Sequence, residues 1–202
     1  MQAIGSAADR VRALTSPPVG TSSGRPAARG TSDQPHAKAF DRAFELFRQE
    51  RFSEALEMVS DSQVGVGHLP EMRLLHAVLL VHSGLLAQAE ALCLQLLQKD
   101  ELDANAHHLL ALCREGVGDH LGAIDSDQTA AYLDPAFAMP HLHLGLLARR
   151  QGDRAMVRKE LGLALRLLSR EDATRLQLFG GGFNRHTLST LCAAELATYG
   201  AA

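Results

Sequence analysis

Residues 118–152 read GDHLGAIDSDQTAAYLDPAFAMPHLHLGLLARRQG, a stretch opened and closed by Gly118 and Gly152, 34 positions apart. Between the glycines lie two segments with the apolar spacing of helices, and Pro135 stands where the first must give way to the second. The same interval of 34 separates Gly118 from Gly84, and Gly84 from Glu50, the one copy without glycine. Small residues keep the same register. Ala55, Ala89 and Ala123 align with Val157, and Ala43, Ala77 and Ala111 align with Gly145. A small side chain recurring once per helix lets neighbouring helices approach closely, with larger Leu, Val and Phe filling the space between.

The spacing predicts helices over 37–49 and 52–61, 70–83 and 86–99, 103–116 and 119–132, and 138–151 and 153–170. A 34-residue unit of two antiparallel helices, with a turn glycine and a helix-ending proline, resembles the tetratricopeptide repeat. No such unit can cover its own apolar face, so the copies must stack. The expected fold is all-α: an α-solenoid of four tetratricopeptide repeats over 36–171, followed by a glycine turn and C-terminal capping helix over 172–202. The first copy is the least regular, with DSQVGVGHLP (61–70) as a longer loop behind it.

Residues 1–35 are rich in Ser, Gly, Pro, Ala and Thr and are expected to form a flexible tail or linker, with at most a nascent helix near Ala7–Leu14. Four arginines against two aspartates make this segment +2; the whole chain is −3, so the remainder is −5. A mildly acidic domain argues against nucleic-acid binding, which needs a basic face to neutralise phosphates. Cys93, Cys113 and Cys192 are far apart and set in Leu/Ala-rich sequence, which reads as buried thiols in a reducing compartment. The first twenty residues hold no continuous apolar core, and Leu74–Leu86 is interrupted by His76, His82, Ser83 and Gly84. Neither a secretory signal nor a membrane span is therefore expected, and the location implied is cytoplasmic.

Near the C-terminus, LFGGGFNRHTLSTLCAAEL (178–196) could be a phosphate-cradling loop or a chain reversal. A P-loop needs a lysine after its last glycine, and none follows Gly182; a dinucleotide fingerprint needs a third glycine where Arg185 stands. The reversal is the better reading. Asn184 then caps a helix Arg185–Tyr199 whose Leu188, Leu191, Cys192 and Leu196 share one face, and Phe179 and Phe183 are expected to wedge beneath it.

Ten histidines raise the question of a metal. His107–His108 and His141–His143 are the dense pairs, but such close neighbours point to different helix faces, and no Cys or carboxylate completes a site. His107 and His141 occupy equivalent slots, which suggests packing or hydrogen bonding between repeats. Charge pairs such as Glu54 with Glu57 and Arg149 with Arg150 read as solvated faces. No catalytic, cofactor or metal residue is predicted.

The candidate site is instead the inner face lined by the first helices, where peptides dock on such arrays. The period assigns to it Phe40, Phe44 and Phe47, then Leu74, Val78 and His82. It continues with Asn105, His108, Leu112 and Glu115, and ends with Met139, Leu142, Leu146 and Arg149. This set is too apolar for a Lys/Asn clamp on a terminal carboxylate. Phe40 and Phe44 fit a role in packing against the next repeat or the tail as well as they fit partner contact.

YLDPAFAMPHLHLGLLARRQGD (132–153) followed by LFGGGFNRHTLSTLCAAEL also resembles the C-terminal tetratricopeptide extension of some chemotaxis-receptor glutamate methyltransferases, the CheR family. The resemblance spans about 36–198 and is specific from Tyr132 onward. It implies a scaffold for protein contacts in a chemosensory methylation pathway, with a receptor, a methyltransferase or an array component as partner. Residues 1–35 hold no glycine-rich cofactor loop behind a strand, so no catalytic residue carries over. The alternative it implies is the regulatory portion of an S-adenosylmethionine-dependent methyltransferase whose catalytic domain is separate.

Overall fold

A computed structural model describes residues 33–61 and 70–200. The tail through residue 32, with its nascent helix, and residues 62–69 of the long loop lie outside the described residues. Within them the chain is all-helical. The helices are α1 (Asp33–Arg48), α2 (Phe52–Asp61), α3 (Pro70–His82), α4 (Leu86–Leu97), α5 (Ala104–Gly116), α6 (His120–Leu133), α7 (Ala138–Gln151), α8 (Arg154–Leu168), α9 (Ala173–Phe179) and α10 (Arg185–Gly200).

Helices α1 to α8 pair as expected, α1 with α2 through α7 with α8, and each pair stacks on the next through α3, α5 and α7. The fold is an α-solenoid of tetratricopeptide repeats. The register residues explain why. Ala43, Ala77, Ala111, Ala55, Ala89, Ala123 and Val157 are each 0% exposed, so every copy places its small residue at a helix crossing. Gly145 is the extreme case: a Cβ there would lie 2.4 Å from Leu161 Cδ2 of α8. The larger Leu75, Leu79, Leu109 and Leu161 fill the gaps between crossings. Burying such a side chain contributes roughly 1.5–3 kcal/mol, which is why stacking holds the array together.

The turns follow from backbone stereochemistry. Gly84, Gly118 and Gly152 adopt φ of 72°, 85° and 75°, the left-handed region in which a Cβ is strained. Glu50 takes the same turn with φ 58°, the one non-glycine among the described residues to do so. Asp103, Asp119 and Asp153 begin α5, α6 and α8 by accepting backbone N–H bonds, satisfying donors that the first helical turn leaves free.

Most helix ends fall within two residues of expectation, and two of the differences bear on the fold. Helix α1 begins at Asp33, inside the segment expected to be tail, and α8 ends at Leu168. The second difference matters more, because it frees a segment that folds into α9 instead of a plain turn. Asn184 caps α10 as the sequence suggests, its Oδ1 accepting from Thr187 N at 3.0 Å. Helix α10 packs along α8, burying Leu188 and Cys192. No helix among the described residues is long and apolar enough to cross a membrane.

Candidate functional site

All fourteen residues assigned to the inner face lie on α1, α3, α5 and α7, the first helices of the four pairs. Their exposure is not that of an open groove. Phe40, Phe44, Phe47, Leu74, Val78, Asn105, His108, Met139 and Leu142 are buried, while His82, Leu112, Glu115, Leu146 and Arg149 are half-buried. Phe40 stacks on Phe44 at 5.8 Å and Phe44 on Phe47 at 6.1 Å, so the aromatic set is part of the packing of the first repeat.

Part of this face, at His108 and beside His82, is covered by α9 with the glycine run. The chain leaves the array after Leu168, crosses the first-helix face, and returns at Arg185. The Arg185 guanidinium closes the base of this excursion by donating to the carbonyls of Leu168 and Glu171, the latter at 2.6 Å. Asp172 caps α9 by accepting from Thr174 N and Arg175 N. The Glu171 carboxylate accepts from Ala138 N at 2.6 Å, which joins the segment to the start of α7; burial pushes its pKa up.

Three contacts seat α9. The Arg175 guanidinium donates to Asp134 at 2.7 Å and lies 4.2 Å from the Phe137 ring centroid, an ion pair combined with a cation–π contact. The Phe179 ring sits edge-on to Phe137 at 5.3 Å and to His108 at 5.7 Å. The His82 imidazole, held between the rings of Phe47 and Phe52, borders a cavity shared with Leu176 and Gln177 of α9. Burial lowers the pKa of His82.

The expectation for the two phenylalanines is thereby corrected. Phe179 is buried, but against His108 of α5 and Phe137 before α7 instead of under α10, and Phe183 is 58% exposed. The physical reason is α9 itself, whose seven residues carry Phe179 away from the cap before the glycines turn the chain. Gly180 has Leu176 O and Phe183 O so near that a Cβ would meet them at 2.4 and 2.9 Å; Gly181 and Gly182 adopt φ of 60° and 81°. All three glycines serve this reversal.

Beside this interface is a buried polar network. His108 Nδ1 lies 2.7 Å from Asp127 Oδ1, His143 Nδ1 bonds the other oxygen of Asp127, and His143 Nε2 lies 2.8 Å from Glu115 Oε2. Arg150 completes it on Glu115. Burial disfavours the charged His143, but Asp127 and Glu115 outweigh it and raise its pKa to about 9. The hydrogen bond from His143, helped by its charge and Arg150 against burial, lowers Glu115 to about 2.

Carboxylates therefore do accompany the histidines, contrary to the expectation from sequence. Ligand atoms of His108, Asp127 and His143 lie within 4.8 Å of one another, brought together from α5, α6 and α7. Their spacing is that of hydrogen bonds. Neighbouring ligands about a tetrahedral metal at ~2.1 Å stand about 3.4 Å apart, wider than the 2.7 Å between His108 and Asp127. His143 also has carboxylates on both ring nitrogens, the partners of an imidazolium and not of a metal-bound imidazole.

The equivalent slots of His107 and His141 diverge. His107 Nε2 bonds Glu101 O at 3.0 Å, whereas His141 Nδ1 bonds Glu160 at 2.7 Å within its own repeat. The bond between repeats is made by His143 instead. Of the charge pairs, Glu54 and Glu57 are exposed as expected, whereas Arg149 pairs with Glu195 of α10 and Arg150 with Glu115. Cys93, Cys113 and Cys192 are buried free thiols.

No family model matches this chain, and no curated protein does. Solved structures do resemble it. A thermophilic TPR protein of Thermus thermophilus superposes with a TM-score of 0.59 at 16% identity, covering 82% of this chain and 97% of that one. MamA gives 0.55 at 16% identity, covering 82% and 90%. The Yersinia enterocolitica type III secretion chaperone SycD, in complex with a peptide of the translocator YopD, gives 0.54 at 22% identity, covering 64% of this chain and 91% of the other. At these identities the likeness is one of fold.

Proposed function

We propose that this chain is a non-catalytic docking scaffold for a protein or peptide partner, acting in the cytoplasm within a bacterial chemosensory methylation pathway. One observation carries the docking role: a peptide-like segment, α9, already rests across the array, with Arg175 on Asp134 and Phe137 and with Phe179 on Phe137 and His108. The SycD structure, of similar fold, is a complex with a peptide, which supports the same use of the architecture here. The pathway rests on the resemblance of 132–153 and 178–196 to the CheR-family extension.

The test is co-purification of the full chain with cytoplasmic domains of chemosensory receptors, with a receptor methyltransferase and with array proteins. At least one is expected to bind. If all fail while an unrelated protein binds, the pathway falls and the docking role stands. Calorimetry with S-adenosylmethionine is expected to show no heat of binding; measurable binding to this chain alone would overturn the non-catalytic reading.

A further inference from the structure

Helix α9 differs from the other helices in what it rests on. It lies across earlier repeats, touching α3, α5 and the turn that leads into α7, where a stacked helix would meet only its neighbours. Its buried residues are Thr174, Arg175, Leu176, Leu178 and Phe179, and Gln177 between them is exposed. Each anchor meets a separate feature of the array. Arg175 meets Asp134 and the Phe137 ring, Phe179 meets Phe137 and His108, and Leu176 borders a cavity with His82. This is how a helical peptide is recognised in a groove: spaced anchors, a paired charge and few backbone bonds.

The fit is incomplete. Arg175 Nε and His108 Nε2 are buried at this interface without a hydrogen-bond partner. A group left unpaired in this way weakens the seat of α9 relative to a ligand that satisfies it. The segment is also tethered at both ends, by the Arg185 clamp on one side and by Glu171 on Ala138 N on the other. A tethered ligand competes at an effective concentration in the millimolar range, which masks a site from a free peptide.

We infer that the face formed by α3, α5 and the turn between α6 and α7 is a binding site for a helical peptide presenting an arginine followed, three and four residues later, by a leucine and a phenylalanine, and that α9 occupies it as a tethered stand-in. The inference rests on the docking role proposed above and specifies its ligand. Asp134 and Phe137 select the cation, and the edge-on rings of Phe137 and His108 select the phenylalanine. The leucine takes the buried position of Leu178. The partner displaces α9, and Gly181 and Gly182, unstrained at positive φ, serve as the hinge.

The probe is a fluorescent synthetic peptide with the sequence of residues 171–181, titrated by anisotropy into the full wild-type chain and into L178A/F179A. The double variant weakens α9 while leaving His82, His108, Asp134 and Phe137 in place. It is expected to bind the peptide at least about tenfold more tightly than wild type, in line with release of a tethered competitor. The same peptide with its arginine and phenylalanine replaced by alanine is expected to lose that binding. Equal affinities for the two proteins, with circular dichroism showing both folded, would overturn the inference.

Should the double variant not fold, hydrogen exchange on the wild-type chain decides. Amides of 174–180 are expected to exchange faster than those of α7 and α8, through an opening that spares the array. Exchange at the same rate as α7 and α8 makes α9 an integral part of the core and overturns the inference. A wild-type dimer by light scattering that dissolves in R175A would also overturn it, by making a second copy the occupant. Failure of the peptide with success of receptor co-purification moves docking to another face; failure of both removes both readings.

Discussion

His143 Nε2 stands 2.8 Å from Glu115 Oε2, and this contact ties the fourth helix pair to the third. With Asp127 on the other ring nitrogen, the imidazole is a positive charge set between two carboxylates from different helices. A network of this kind makes stability depend on pH. The His143 pKa is raised from 6.5 to about 9, so its contribution is full below 6.5 and is lost as pH rises through about 9. Glu115 is lowered from 4.5 to about 2, so its contribution is present above 4.5 and is lost as pH falls through about 2. The thermal midpoint is expected to be highest between those limits and to fall between pH 6.5 and 9. H143F should remove that alkaline slope and cost on the order of 3 kcal/mol near neutrality, since it leaves Glu115 and Asp127 each short of a partner. Thermal melts of both proteins from acid to alkaline pH check it.

Glu50 occupies the turn that Gly84, Gly118 and Gly152 make in the other repeats, with φ 58°. A residue with a Cβ is strained there by roughly 1 kcal/mol, while glycine costs some entropy in the unfolded chain. E50G is expected to raise stability by up to about 0.5 kcal/mol by urea denaturation, because relief of the strain slightly exceeds the entropic loss. The Glu50 backbone N–H donates to Phe47 O at 3.0 Å, and glycine keeps that bond.

At Gly145 two effects oppose one another. Replacing a helical glycine by alanine favours the helix by about 1 kcal/mol. The new Cβ would lie 2.4 and 2.6 Å from the Leu161 side chain and 3.2 Å from its backbone N. The backbone limits how far α8 can retreat, and overpacking of this kind costs about 1–3 kcal/mol. G145A is therefore expected to be destabilising by about 1 kcal/mol, even though alanine stands at the same register in the other three repeats. Leu161 at the crossing is the difference. A lowered midpoint in a chemical denaturation series checks the sign.

The array was legible because its signal is periodic. Ala55, Ala89, Ala123 and Val157 all prove to be crossing points, and a register repeated four times survives errors at any one position. The site was legible only in part. Periodicity places Phe40, Leu74 or Met139 on the first-helix face, but it cannot say that another segment lies over that face. Residues 173–179 fall outside the repeat, and a seven-residue helix carries too few apolar positions for a period to show. The Asp127 bridge was hidden for another reason. Asp127 stands where the next repeat has Leu161, so the register marks the slot as apolar core while His108 and His143 make it polar.

Helix α10 covers α8 through Leu188 and Cys192, and Glu195 pairs with Arg149 of α7. Deleting 184–202 removes that cover and the Arg185 clamp on Leu168 and Glu171. Deleting 175–202 also strips Arg175, Leu176, Leu178 and Phe179 from the first-helix face, leaving Phe137 and His108 without their cover. Each buried apolar side chain contributes roughly 1.5–3 kcal/mol, so the shorter deletion should cost several kcal/mol and the longer one more. The expected order of melting temperature and soluble yield is full chain, then 1–183, then 1–174. If 1–174 matches the full chain in both, α10 is no cap and α9 adds nothing to the array. If 1–174 exceeds 1–183, a segment freed from its clamp is a greater burden than an exposed face, which places the strain of the excursion in α9 and the glycines.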